Sequence, residues 1–132
     1  MKITMPSAPP ELYLKGVQWG REAIEFATSA ALPGRIPRKT RGTDPVLDLL
    51  LYDWPERVEA EALKAVEEGR AEIAPVLEID RELLGQAHER GEAIWQSLQR
   101  MLKHGGPQAD PDVIELRERS REYTEQALAE TG

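Results

Sequence analysis

The sequence contains no cysteine, which excludes a disulfide framework and a thiolate metal site. Aromatic residues make up only 5% of the chain and phenylalanine occurs once, so any aromatic platform must come from very few positions. No apolar run approaches the roughly 20 residues that a membrane-spanning helix needs. The densest apolar segment, residues 46–52, is far shorter and carries Asp48. Residues 1–16 hold no apolar run of signal-peptide length. β-Branched residues are scattered, and no segment alternates apolar and polar long enough to predict a strand. Positive charge is the minority: the net charge is −7, with 31% of residues charged. That balance repels nucleic acid and anionic membrane. The expectation is an acidic, cytoplasmic, all-α chain with no membrane contact.

At 132 residues the chain is long enough to bury a core without covalent staples. The reading is a single helical domain over 1–132, a bundle of four or five helices. Residues 1–9, with Pro6 and Pro9, predict an extended arm. Pro10 and Glu11 suit the first turn of a helix, which Pro33-Gly34 would stop. Two neighbouring stripes on this helix are apolar. One holds Tyr13, Val17 and Ile24; the other holds Leu12, Trp19, Ala23 and Phe26. Gly16, Gly20, Ala23 and Ala27 lack bulk, which reads as close helix packing.

A Gly/Pro/Thr-rich linker follows at 33–44. Asp44-Pro45 is an N-cap and N1 pair that predicts a short helix over 46–52. Asp53-Trp54-Pro55-Glu56 reads as a corner and a fresh helix start. One heptad register then runs over 63–101. Its a-type positions are Leu63, Arg70, Leu77, Leu84, Gly91 and Leu98; its d-type positions are Val66, Ile73, Asp80, Ala87, Ile94 and Met101. Pro75 falls inside this register. Proline within a helix costs about 3 kcal/mol. Even so, the unbroken heptad and the absence of glycine, asparagine or serine close to Pro75 favour one long, kinked helix over a hairpin. Leu77, Leu84, Ala87, Gly91, Ile94, Leu98 and Met101 form its predicted packing seam, a coiled-coil-like surface for assembly. Arg70 and Asp80 interrupt that seam, either setting register or turning to water. A Gly/Pro linker at 104–110 ends the helix, and Asp110-Pro111 opens the last one, with Val113, Leu116, Ser120, Tyr123 and Ala127 on a narrow stripe.

Chemistry is sparsely signalled. Arg35, Arg38, Lys39 and Arg41 place four cations within seven residues, a set that suits phosphates or an acidic protein surface. No aromatic residue is interleaved, so the stacking platform of a single-strand binder is missing. His88 and Glu92 stand one helical turn apart, as do Glu68 and Glu72, but no Glu-x-x-His pair of a di-metal bundle occurs. There is no nucleophile elbow and no glycine-rich phosphate loop. Trp19, Trp54 and Trp95 read as core anchors. No motif is specific enough to name a family. The sequence therefore predicts a non-catalytic assembly or adaptor subunit, with no cofactor, no catalytic residue and no metal site. It would work through protein–protein contacts and self-association. The alternative is a small subunit of a nucleoprotein complex whose basic loop contacts phosphates.

Overall fold

The computed structural model describes residues 1–29, 41–42 and 44–130. Its elements are β1 (Lys2–Thr4), α1 (Pro10–Ser29), α2 (Pro45–Asp48), a π-helical turn (Leu49–Asp53), α3 (Trp54–Glu67), β2 (Val76–Glu78), α4 (Arg81–Leu102) and α5 (Pro111–Ala129). Among the described residues 71% are helical and the sheet has only two strands, so the fold is an all-α bundle. No described helix is long and apolar enough to cross a membrane.

Several starts follow from local chemistry. Asp44 accepts from the backbone N–H groups of Val46 and Leu47 at 3.0 and 3.4 Å. Asp110 accepts from that of Asp112 at 3.3 Å. Each satisfies donors that a helix N-terminus otherwise leaves orphaned.

The predicted corner at Asp53 to Glu56 does not form. Instead α2, the π turn and α3 make one joined helix. An interior proline ring clashes with the carbonyl four residues back. Pro55 sits where the turn has widened, and the N–H of Trp54 reaches the carbonyl of Leu49, five residues back. The wider turn therefore accommodates the proline without breaking the helix.

The long helix across Pro75 is also corrected. α3 ends at Glu67, and Gly69 takes φ +71°. The N–H of Arg70 reaches the carbonyl of Ala65 at 2.9 Å, and that of Gly69 reaches Val66 at 3.1 Å. This paired closure is the Schellman motif, which favours glycine at the left-handed position. Beyond it the chain is extended. β2 pairs antiparallel with β1, setting Ile3 opposite Leu77. Ala8 and Ile73 exchange both backbone hydrogen bonds, at 3.0 and 2.9 Å, and the Met5 N–H donates to the Pro75 carbonyl at 2.7 Å. Pro75 has no donor to lose and is fully buried. Asp80, expected inside the seam, is the N-cap of α4 and accepts from the Glu82 N–H at 2.9 Å. Leu63 and Val66 are 55% and 44% exposed, so among the described residues nothing covers that part of the register.

Three apolar clusters hold the bundle. Tyr13, Val58, Ala62, Ala65 and Ile73 pack where α1 crosses α3. Ile3, Met5, Leu77, Ile79 and Leu84 pack beneath the two strands. Ala23 and Ala27 pack on Leu98 and Met101 where α1 meets α4. Burial of each large aliphatic side chain here contributes about 1.5–3 kcal/mol.

Candidate ligand cavity

Between α1, the π turn, α4 and α5 lies an apolar cavity of about 350 Å³. α1 supplies its floor through Gly16, Val17, Trp19 and Gly20. The π turn brings Leu50 and Leu51, α3 opens on it with Trp54 and Val58, and Trp95 and Arg117 arrive from α4 and α5. A π turn shifts the side chains that follow it relative to an α-helical register, and such turns recur at functional sites. All three tryptophans line the cavity, and all three are half-buried rather than sealed in the core.

The glycines explain why space remains. Ala23 and Ala27 make the close helix approach expected of small residues. Gly16 and Gly20 do not. A Cβ at Gly20 would meet nothing within 4 Å, and one at Gly16 would touch only Val113, at 3.9 Å. Glycine inside a helix costs about 0.5–1 kcal/mol relative to alanine. At neither position does packing or a positive φ require it.

Charged groups stand at the walls, already compensated. The Arg117 guanidinium lies 4.5 Å from the centroid of the Trp95 ring. It donates to Glu92, and also to Glu118 at 3.0 Å. Arg21 grips Glu59 at 2.6 and 3.3 Å, which pushes its pKa above the usual guanidinium value. Hydrogen bonds from Arg121, and secondarily from Arg117, hold the Glu118 carboxyl below the usual carboxylate range. The Trp19 Nε1–H donates to the Pro107 carbonyl at 3.2 Å, the Ser120 hydroxyl to the Leu116 carbonyl at 2.9 Å, and the Tyr13 hydroxyl to the Pro6 carbonyl. Burial raises the Tyr13 pKa to about 12. Each of these polar groups is engaged, and what faces the space is mostly ring and aliphatic surface.

A smaller chamber of about 230 Å³ shares Met5, Leu50, Trp54, Arg117 and Ser120 with the first. The Arg117–Glu92 pair stands at the shared wall. A roomier cleft, about 500 Å³, lies near the starts of α2 and α4. Of the carboxylates that line it, Asp44 and Asp80 cap helices, and Asp44 also binds Arg90 at 2.5 Å.

Of the predicted docking cations, Arg35, Arg38 and Lys39 lie outside the described residues. Arg41 is described, and it pairs at the surface with its own chain. It bonds to Glu56 at 3.0 Å and Asp53 at 3.5 Å, and stacks 4.9 Å from the Tyr52 ring centroid. The predicted seam residues divide. Leu77 lies in β2, whereas Leu84, Ala87, Gly91, Ile94, Leu98 and Met101 lie on α4. On α4, Leu98 and Met101 face α1, and Gly91 approaches Leu50 of the π turn. His88 and Glu92 take different partners on α5, His88 reaching Glu125 at 3.5 Å and Glu92 taking Arg117. Among the described residues no group of three or more His, Asp or Glu side chains is placed to hold a metal ion. Comparison with protein-family models, curated proteins and solved structures gives no match.

Proposed function

We propose that this chain is a non-catalytic helical adaptor or assembly subunit of the cytoplasm, and that it acts by binding an apolar group in the tryptophan-lined cavity. The single observation that carries this reading is the cavity itself, which joins an apolar lining with charges already paired. Catalysis draws on titratable groups poised to exchange protons or attack; those around this space are committed to one another. Its volume falls within the about 300–1,000 Å³ of small-molecule sites. Self-association belongs to the same reading, because Leu63 and Val66 present apolar surface that the described residues leave open.

The phosphate-binding alternative has less support. The one described member of the basic set is already bonded to two carboxylates. Fluorine NMR of fluorotryptophan-labelled protein tests the cavity directly. Titration with small apolar fragments should move the signals of Trp19, Trp54 and Trp95 together. Fragments that leave all three signals unmoved would end the binding reading.

A further inference from the structure

Resting on that reading, we propose that the cavity takes a neutral, flat aromatic small molecule, about the size of two fused rings and carrying a hydrogen-bond acceptor. Size comes first. At ~30 Å³ of liquid volume per water, 350 Å³ equals roughly a dozen waters, which limits the occupant to about that many non-hydrogen atoms. Neutrality follows from the walls. Arg117 is bonded to Glu92 and Glu118, and Arg21 is bonded to Glu59. An anion would have to displace a carboxylate from one of them. A cation would meet Arg117 already lying on the face of Trp95.

Aromatic character follows from three indole walls. Rings prefer offset or edge-to-face contacts with one another, and Trp19 and Trp95 already show that geometry. The acceptor follows from the ring N–H groups. That of Trp19 is spent on Pro107, whereas those of Trp54 and Trp95 have no partner among the described residues. Gly20 completes the case: a Cβ there would meet nothing within 4 Å among the described residues, which leaves room beside α1.

The test is calorimetric titration of the full chain with quinoline, naphthoate and tetramethylammonium. These represent neutral, anionic and cationic occupants. Quinoline should bind about tenfold more tightly than either ion. Gly20→Leu, which fills the space from α1, should weaken quinoline by about tenfold or more. Leu50→Trp narrows the same space from the π turn and should act likewise if the glycine variant folds poorly. Gly85→Leu, a helical glycine on α4 that lies outside this cavity, should leave binding unchanged. Quinoline binding that survives both filling variants would overturn the inference. So would an ion that binds as well as quinoline, although the binding reading would then stand. Failure of all three probes would overturn both.

Discussion

Trp19 and Trp95 meet edge to face across the cavity, with ring centroids 5.7 Å apart and planes inclined by 66°. Trp95 also carries the Arg117 guanidinium, and Trp19 is pinned by its hydrogen bond to Pro107. Two helices and the linker before α5 are thereby joined through two rings. Edge-to-face pairs contribute about 0.5–1.5 kcal/mol beyond their buried area. A double-mutant cycle of Trp19→Leu and Trp95→Leu should return a coupling energy in that range, measured by urea denaturation. A coupling indistinguishable from zero would mean that each ring packs independently.

Two glycines should respond with opposite signs. At Gly20 the backbone is helical and a methyl group meets only empty space. Gly20→Ala should therefore stabilise the fold by roughly 0.5–1 kcal/mol. At Gly69 the φ of +71° is one that alanine adopts only with strain. Gly69→Ala should therefore destabilise by about 1 kcal/mol or more. Melting curves of the two variants decide both points, and like signs would contradict the structure.

Pro75 separates the two ways of reading the middle of the chain. Were it inside a helix, Pro75→Ala would restore a hydrogen bond and stabilise by about 3 kcal/mol. In the structure Pro75 lies in an extended, buried segment whose carbonyl serves Met5. The exchange should then destabilise, through lost packing and a freer unfolded chain. Alongside it, Ile73→Ala should cost about 2–5 kcal/mol, because Ile73 is only 1% exposed. Chemical denaturation measures both, and a stabilised Pro75→Ala would restore the kinked helix.

These positions also show what was legible in the sequence. Helix starts were, because Asp44-Pro45 and Asp110-Pro111 act through local chemistry that a few residues spell out. The all-α class was, because composition and periodicity agree on it. The heptad register misled by continuing across residues that are not helical. Gly69, six residues before Pro75, held the stop signal, but Leu77 and Ile73 kept the 3-4 spacing alive in an extended segment. Three-residue strands are too short to show an alternation. Pro55 looked like a corner because a π turn, which tolerates it, has no periodic signature. The cavity was hidden for a different reason. Gly16 and Gly20 share the small-residue spacing of Ala23 and Ala27, and spacing alone does not tell a close contact from a space left open.

Tyr13 gives the fold an alkaline limit. Its hydroxyl donates to the Pro6 carbonyl within a buried cluster, and burial pushes its pKa from 10.0 to about 12. The unfolded chain therefore loses this proton at lower pH than the folded chain does. Between about pH 10 and 12 the unfolded state binds fewer protons, so stability falls as pH rises. Below pH 10 the contribution is fully present; above about 12 it is gone. A shift of this size corresponds to a loss of roughly 3 kcal/mol. Tyr13→Phe should remove this dependence. It should also lower stability at neutral pH by about 1–2 kcal/mol, since the Pro6 carbonyl is left without its donor. Urea denaturation of both proteins at pH 8 and at pH 11 separates the effects. The wild type should weaken between the two conditions more than the variant does, and parallel losses would assign the alkaline transition to other groups.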